Sequence, residues 1–286
     1  MRHDRSLPPR IQLSGERVSD YQGIDFRIGA GEIFGFLGPS GAGKSTTQKL
    51  LTGLLSGFGG DIFVLGKSLR EWGKNYYNHV GVGFELPNHY AKLTALENLR
   101  FFSSFYDVKT QDPLRLLEMV DLQQHAHKRV EAFSKGMKMR LNFVRALLHD
   151  PAILYLDEPT AGLDPVNARA MKEIILGLKK QGKTVFLTTH NMHDAEELCD
   201  RVAFIVDGEI KLADAPRNLK LQGGERRVRV EYLSAGGLKA REFALEGLGH
   251  DEEFLLTLRG EDVQSIHSEE ASLEDVFIKV TGTPLT

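Results

Sequence analysis

The stretch GPSGAGKSTT, from Gly38 to Thr47, decides the fold of this chain. It lies between the apolar run GEIFGFLG, which predicts a buried strand, and KSTTQKLLTGLL, whose leucines recur at helical spacing. The three glycines of the stretch let successive backbone N–H groups turn toward one point, where the positive end of the helix dipole adds to them. The stretch therefore predicts a cradle for phosphate groups.

Four positions of this loop fit the P-loop pattern G-x-x-x-x-G-K-[ST]. We expect Lys44 to reach the β- and γ-phosphates of a nucleoside triphosphate and Ser45 to bind Mg²⁺. An ordinary glycine-rich turn is disfavoured, because the fixed positions and the strand-to-helix context coincide. The predicted nucleotide-binding residues are Gly38, Pro39, Ser40, Gly41, Ala42, Gly43, Lys44, Ser45 and Thr46.

A second phosphate-linked motif, PAILYLDEPTAGLDP, runs from Pro151 to Pro165. Its apolar run predicts a buried parallel strand that ends in Asp157 and Glu158, and two unpaired charges there would be costly. A magnesium nucleotide removes that cost if Asp157 binds the metal and Glu158 polarises the attacking water. The next predicted strand, TVFLTTH, ends in His190 at the same sheet edge, which suits a contact with the γ-phosphate.

Together with FSKGM, at Phe133 to Met137, these elements resemble the ATP-binding cassette (ABC) ATPases over about residues 11–215. FSKGM is similar to the family signature, usually LSGGQ, and Ser134 is also a good N-cap for the helix that follows. The resemblance implies an α/β fold, the P-loop NTPase fold of an ABC nucleotide-binding domain. That fold has a parallel core sheet, a small antiparallel sheet and an inserted helical subdomain.

The resemblance also implies a dimer with ATP and Mg²⁺ bound at its interface. In the family, the signature of one copy covers the nucleotide on the P-loop of the other, so a homodimer is expected. Asp164, in AGLD, resembles the D-loop that crosses this interface, and it is predicted to cap the next helix, with Pro165 at its first position. The signature residues expected to act in trans are Ser134, Lys135, Gly136 and Met137.

Two positions depart from the family pattern. Glu85 follows the predicted strand HVGVGF where the family usually has Gln, and we assign it as a catalytic and metal-contacting residue. Its charge beside the γ-phosphate could slow hydrolysis or shift its metal dependence. Many members stack adenine on an aromatic side chain, but none stands at Leu13 to Gly15, and the nearest, Tyr21, is expected within the strand.

Residues 1–215 are predicted to form the nucleotide-binding domain, with residues 86–148 as its helical subdomain. Thr94 and Glu97 predict a capping box at the start of one of these helices. The phenylalanines that follow at three-residue spacing, Phe102 and Phe105, are expected in the core. The neighbouring segment ELPNHYAK is the better candidate for contact with the coupling helix of a permease, which docks at this subdomain in the family.

Residues 216–286 are predicted to form a small α+β domain. RRVRVEYL and EEFLLTLR alternate like strands, glycine pairs at 223–224 and 236–237 indicate turns, and ASLEDVFIKVTG predicts a helix with a glycine stop. This tail resembles that of ATPase subunits of drug-efflux exporters. The arginines at 226, 227 and 229 are expected on a solvated strand face.

The composition excludes several classes of protein. A net charge of −3 gives no indication of nucleic acid as a partner, and a single cysteine excludes an internal disulfide or a multi-cysteine metal site. MRHDRSLPPR lacks the apolar region of a secretory signal, and no apolar run reaches about 18 residues, so the permease must be another chain. The sequence predicts a peripheral ATPase subunit at the cytoplasmic face of the membrane, driving export of a drug-like or other substrate.

Two other functions remain open. A non-transport ABC protein acting on nucleic acid or ribosomes is disfavoured, because such proteins usually carry tandem cassettes, long coiled-coil insertions or zinc cysteines. A nucleotide sensor that hardly hydrolyses ATP is made conceivable by Glu85. A GTPase is disfavoured, because the chain has no N-K-x-D motif for reading the base.

Overall fold

The fold is described from a computed structural model, which covers residues 11–14, 24–223, 227–234, 236–269 and 271–282. The chain divides into two compact units, the first ending at Asp214 and the second beginning at Ala215. Gly15, Tyr21 and Arg226 lie outside the described residues, and so does the side chain of Leu13. The expectation about adenine stacking therefore concerns a part of the chain that is not described.

The first unit contains most of the regular structure. Its strands are β1 (Ile11–Ser14), β2 (Phe26–Ile28), β3 (Ile33–Leu37), β4 (Asp61–Val64), β5 (Lys67–Ser68), β6 (Val80–Gly83), β7 (Ile153–Asp157), β8 (Thr184–Thr189), β9 (Arg201–Val206) and β10 (Glu209–Asp214). Its helices are α1 (Lys44–Leu51), α2 (Ala95–Ser103), α3 (Pro113–Met119), α4 (Lys135–Ala146), α5 (Pro165–Lys180) and α6 (Met192–Leu198). Short 3₁₀ turns connect several of these elements.

A six-stranded sheet with the order β10-β9-β3-β8-β7-β6 forms the centre of this unit. The strands from β9 to β6 pair in parallel, and β10 closes one edge in antiparallel orientation. Every residue of β3 and β8 is buried, as expected for strands of a parallel sheet covered on both faces. Gly35 is required here by packing, because a Cβ would lie 2.7 Å from Sγ of the buried Cys199. The parallel core sheet is confirmed.

A second, antiparallel sheet with the order β2-β1-β4-β5 packs on the central one. Phe26 of β2 stacks on Phe34 of β3, with the ring centroids 5.4 Å apart, and on Phe186 of β8, at 6.0 Å. The small antiparallel sheet is also confirmed. It buries the face of the central sheet that would otherwise expose these aromatic rings.

Helices α2 to α4 make up the inserted segment between β6 and β7. The capping box is present, since the Thr94 hydroxyl accepts from the Glu97 N–H at 3.2 Å and the Glu97 carboxylate accepts from the Thr94 N–H at 2.8 Å. The expectation for Phe105 is wrong, because this side chain is 63% exposed. Helix α2 ends at Ser103, so the helical spacing no longer applies two residues later. Phe102 is half-buried.

The second unit comprises α7 (Pro216–Gly223), β11 (Arg227–Ser234), β12 (Gly237–Ala244), α8 (Glu252–Gly260), β13 (Asp262–Glu269) and α9 (Leu273–Thr281). β11 is the middle strand of an antiparallel sheet, between β12 and β13. The helix predicted near the end of the chain is present as α9, and Gly282 ends it with a left-handed φ of 72°. Only glycine adopts this conformation without strain.

The prediction that EEFLLTLR forms a strand is wrong, because these residues lie in α8. The Asp251 side chain accepts from the Phe254 N–H at 2.9 Å, and the two glutamates that follow Asp251 favour the first turn of a helix. Phe254 and Thr257 are buried three residues apart, so the buried positions have helical spacing. Among the described residues of both units, no helix has the length and apolar character needed to cross a bilayer.

Candidate active site

The candidate site lies where four adjacent strands of the central sheet end. The P-loop follows β3, His190 follows β8, Asp157 ends β7, and Glu85 lies just beyond β6. Parallel strands bring these ends to one edge, where the side chains surround a cavity of about 280 Å³. Its lining residues are Ser40, Gly41, Gly43, Lys44, Ser45, Thr46, Glu85, Asp157, Glu158 and His190. The structure thus brings together the four sequence segments assigned to one site.

The P-loop curves tightly around its own lysine. Gly43 is the N-cap of α1 with φ at 107°, which a residue with a side chain would adopt only under strain. The Lys44 ammonium donates to the carbonyl oxygens of Gly38, at 2.6 Å, and Pro39, at 3.0 Å. A Cβ at Gly38 would overlap the carbonyl oxygen of Ile205 in β9. Both glycines are therefore required by the path of the loop.

Lys44 is partly desolvated within a ring of acidic side chains. Burial lowers the pKa of its ammonium group, and the charges of Glu158, Asp157 and Glu85 oppose this shift, in that order of strength. The lysine is the cation of a site that holds three carboxylates. A triphosphate in the cavity would supply further negative charge and bind against this lysine.

Glu158 is held firmly by the end of β8. Its backbone has a φ of 48°, a left-handed conformation that costs a residue with a side chain on the order of 1–2 kcal/mol. Its carboxylate accepts from the Thr189 hydroxyl at 3.0 Å, from the His190 N–H at 3.0 Å and from His190 Nδ1 at 2.6 Å. The glutamate is 6% exposed, so these bonds replace water around the charge.

The residues assigned to the metal suit Mg²⁺ only when a nucleotide is present. Ser45, Asp157 and Glu85 line the same cavity and offer oxygen atoms. Mg²⁺ usually binds through one or two carboxylates together with substrate phosphates and water. In the described part of the chain, no group of three or more His, Cys, Asp or Glu residues could hold a metal ion alone. Phosphate oxygens would have to complete the coordination.

The signature and D-loop residues form a separate surface. Ser134 caps α4 by accepting from the Met137 N–H at 3.2 Å, and the carboxylate of Asp164 caps α5. Lys135 lies over Gly162, where a Cβ would be 2.9 Å from Cε of the lysine. The signature residues are not among those that line the cavity described above. In this chain they therefore lie apart from the P-loop that they were assigned to serve in trans.

The segment 84–90, which carries Glu85, is bonded to α4 by side chains that belong to none of the sequence motifs. Asn142 donates to the Phe84 carbonyl at 2.7 Å, and Arg145 donates to the Asn88 carbonyl at 2.6 Å. His89 bonds to the Lys138 carbonyl at 3.0 Å through Nε2. Asn142 is buried on the apolar face of α4, and a polar residue in that position was the available signal.

A groove of about 490 Å³ opens beside this segment. Arg145 is part of its lining, with the guanidinium 4.6 Å from the centroid of the Phe102 ring. Large apolar side chains are exposed nearby along the chain, with Leu86 at 78%, Tyr90 at 50% and Phe105 at 63%. A cluster of exposed apolar side chains often marks a docking surface.

Comparison with known proteins decides the family. Residues 21–161 match the ABC transporter family, and residues 226–270 match the fluoroquinolone efflux ABC transporter C-terminal domain. A fluoroquinolones export ATP-binding protein of Mycobacterium tuberculosis is 58% identical, over 93% of this chain and 88% of that protein. The chain belongs to the ABC transporter ATP-binding family.

A further relative of this ABC ATPase is also named as an export protein. The Nod factor export ATP-binding protein I of Burkholderia lata is 36% identical, over 91% of each chain. A solved structure of an ATP-binding subunit of an ABC transporter superposes with a TM-score of 0.67 and 29% identity, covering 74% of this chain and 92% of that one. The predictions of fold, of ATP hydrolysis and of an exporter subunit that drives a separate permease are confirmed.

Proposed function

We propose that this ABC ATPase powers the export of fluoroquinolones or similar planar drugs, with two copies closing on two ATP molecules. The convergence of the P-loop, Asp157, Glu158 and His190 on one cavity carries the catalytic part of the proposal. The match of residues 226–270 to a C-terminal domain of fluoroquinolone efflux transporters supports the substrate class. The subunit would then lie at the cytoplasmic face of the membrane, bound to its permease.

The residues divide the work as follows. The P-loop N–H groups and Lys44 would bind the phosphates, while Ser45 and Asp157 would hold Mg²⁺. Bound Mg²⁺ would neutralise charge that develops on the phosphates during hydrolysis. Glu158 orients and polarises the attacking water, and His190 donates to the γ-phosphate. Oε1 of Glu158 accepts from the N–H and Nδ1 of His190 and Oε2 accepts from Thr189, so Oε2 can still accept a hydrogen bond from the attacking water.

The surface shared by the signature and the D-loop would close on the second copy. Ser134 caps α4, and the positive end of the helix dipole would favour an anion at that terminus. Lys135 adds a positive charge beside it. Each copy would therefore bind ATP on its own P-loop and cover the ATP of its partner.

The groove beside residues 84–90 is the proposed docking place for a coupling helix of the permease. Its occupant would bury Leu86 and Tyr90 while resting on the segment that carries Glu85. Since α4 is bonded to the same segment, movement of the permease helix would reach both Glu85 and the signature. This arrangement gives the permease a mechanical connection to the nucleotide.

Glu158→Gln tests the catalytic part. The amide keeps the shape of the side chain but cannot take a proton from water, so we expect turnover to fall by about 10²–10⁴-fold. ATP binding should persist, and ATP should trap a dimer visible by gel filtration with light scattering. Lys44→Ala is the control that should lose both ATP binding and the dimer. Turnover near that of the wild type in Glu158→Gln would remove Glu158 from this role.

The substrate class is tested in cells that carry the permease. Fluoroquinolone accumulation should be low with the wild-type subunit and should rise with Glu158→Gln, because export then lacks ATP hydrolysis. Tetracycline accumulation serves as the comparison. Equal fluoroquinolone accumulation with both forms would contradict the proposed substrate class and leave the ATPase assignment intact.

A further inference from the structure

Asp194 is a buried carboxylate that the proposed mechanism does not use. It lies in the first turn of α6, just after His190, and is 6% exposed. Its Oδ2 accepts a hydrogen bond from the Thr160 hydroxyl at 2.6 Å, and its Oδ1 lies 3.0 Å from the ammonium of Lys172. These two partners compensate the burial of its charge.

The partners of Asp194 come from two other parts of the site. Thr160 lies in the turn that follows Glu158, and Lys172 belongs to α5, the helix that Asp164 begins. The position of Asp194 itself is fixed, because the side chain of Asn191 caps α6 with bonds to the His193 and Asp194 N–H groups. The Asp194 carboxylate thus joins three parts of the site. These are the turn after β8, which carries His190 (the His190 turn), the turn after β7, which carries Glu158 (the Glu158 turn), and helix α5.

Two side-chain links connect the turns after β7 and β8, in addition to the backbone hydrogen bond from the Glu158 N–H to the Thr188 carbonyl. The first runs directly from the Glu158 carboxylate to Thr189 and His190. The carboxylate that makes this link is also the group that acts on water, so the link weakens as Glu158 takes up a proton. The second link, from Thr160 to Asp194, uses no atom of Glu158, so it can persist throughout the reaction.

We propose that Asp194 is a positioning residue, which holds the Glu158 turn in register with His190 while Glu158 acts on water. The proposal rests on the roles given above to Glu158 and His190. Misplacement of a reacting group by about 1 Å can cost about 10²-fold in rate, so a link of this kind would affect turnover more than ATP binding.

The test compares kcat and KM for ATP in full-length variants. Thr160→Val keeps the shape but removes the hydroxyl, and we expect kcat to fall at least about tenfold with KM within about twofold. Thr160→Ser should restore most of kcat. Asp194→Asn should also lower kcat, and the double variant Thr160→Val/Asp194→Asn should lose no more than the more impaired single variant if both act through one bond.

Glu197→Gln is the matched control. Glu197 pairs with the same Lys172, but its side chain is 42% exposed. The Thr160 hydroxyl donates to Asp194 and not to Glu197. The kcat of Glu197→Gln should stay within about twofold of the wild type, because a carboxylate that is 42% exposed keeps part of its hydration and its ion pair then contributes little. A loss in Glu197→Gln equal to that in Asp194→Asn would overturn the proposal, since charge around Lys172 would then explain both.

Other outcomes are equally decisive. Wild-type kcat in Thr160→Val, measured where circular dichroism shows the variant folded, overturns the proposal. If Thr160→Val and Asp194→Asn both fail to fold, the link serves stability alone and the proposal is again overturned. Normal turnover in Glu158→Gln would instead overturn the proposed role of Glu158, so the two failures are distinguishable.

Discussion

Two glycines of the site are constrained in different ways. At Gly38 a side chain would overlap the Ile205 carbonyl, so the packing of this chain already requires glycine. At Gly136 a Cβ would lie 3.4 Å from Cδ2 of Leu163, an ordinary contact. If Gly136 is needed, the reason lies in what approaches from outside this copy, and that makes it a sharp test of action in trans.

Gly136→Ala should leave the fold intact and still reduce turnover. Stability should stay the same or rise by up to about 1 kcal/mol, because alanine favours a helix over glycine. ATP binding to the P-loop should not change, while the ATP-dependent dimer and kcat should fall about tenfold or more, because a methyl group would separate the signature from the partner's phosphates. Chemical denaturation, ATP titration and phosphate release measure the three quantities.

Gly177→Ala is the control for that variant. Gly177 also lies within a helix, α5, and a Cβ there would meet no atom within 4 Å. Both substitutions increase helix propensity, but only position 136 faces the proposed partner subunit. Equal turnover in the two would show that Gly136 does not act across an interface.

Glu85→Gln should accelerate hydrolysis. Glu85 lines the cavity and adds negative charge where the γ-phosphate is expected. Two like unit charges about 4 Å apart in water repel each other by about 1 kcal/mol. Removing this repulsion between Glu85 and the γ-phosphate should raise kcat/KM about fivefold. Phosphate release at several Mg²⁺ concentrations is the measurement, and Glu131→Gln, at an exposed glutamate, is the comparison. A lower rate would indicate that the carboxylate itself assists the metal or the water.

The segment 84–90 connects more parts of the molecule than its lack of regular structure suggests. It follows β6, carries Glu85 into the nucleotide cavity, and is bonded to α4 through Asn142 and Arg145. Burial lowers the pKa of the Arg145 guanidinium. Its N–H groups donate to the Asn88 carbonyl and to the side-chain oxygen of Asn142, and these hydrogen bonds replace bonds to water. A loop that is fastened this way transmits displacement instead of absorbing it.

Phe105→Glu should uncouple transport without weakening the fold. The side chain is 63% exposed, so the free energy of unfolding should change by less than about 0.5 kcal/mol. Basal ATPase activity should persist, while drug export in cells should fall because the charge opposes docking of an apolar helix. Leu238→Glu, at a residue 62% exposed in the second unit, is the matched control. Normal export in Phe105→Glu would place the permease elsewhere.

The elements differ in how well the sequence predicts them. The P-loop, β7 and α5 were predictable because local signals agree: an apolar run, a glycine turn, and Asp164 before Pro165 as a cap. The sequence predicts α8 poorly because its glutamates and leucines also resemble an alternating strand, and the signal that favours a helix is the single N-cap residue Asp251. β13 was missed because DVQSIHSE is largely polar and gains its pairing only from β11.

For the molecule as a whole, the side chains of the candidate site were more predictable from the sequence than the residues that hold them in place. The side chains that line the cavity belong to motifs whose spacing has a chemical reason. The bonds that fix them join distant parts of the chain, as Thr160 does with Asp194, 34 positions later, and Asn142 with Phe84, 58 positions earlier. Asn142 is marked only by its polar side chain on an apolar helix face, and the sequence does not indicate which distant residue either side chain bonds, so the tertiary structure is needed to show these bonds.

Acid should destabilise the whole molecule through two histidines. Burial lowers the pKa of His89 and of His149 to about 4, below the ordinary 6.5, although each bonds to a backbone carbonyl. The unfolded chain therefore takes up protons first, and stability present above pH 6.5 is lost as the pH falls toward 4. Each histidine should cost about 1–2 kcal/mol between about pH 7 and pH 5.

Urea denaturation at both pH values checks this prediction. His149→Gln should reduce the pH dependence by about half, since glutamine can still donate to the Val80 carbonyl but does not titrate. His250→Gln, at an exposed residue, is the control and should keep the wild-type dependence. An unchanged pH dependence in His149→Gln would mean that this histidine is not held neutral by the fold.

The burial of Cys199 against Gly35 has a practical consequence for labelling. It is the single cysteine of the chain, and burial raises the pKa of its thiol, so little reactive thiolate forms. A cysteine introduced at Val166, which is 79% exposed beside the D-loop, would then be the preferred target for a maleimide fluorophore. Energy transfer between two dyes placed there would follow the association of two subunits in real time, and Cys199 would not have to be replaced beforehand.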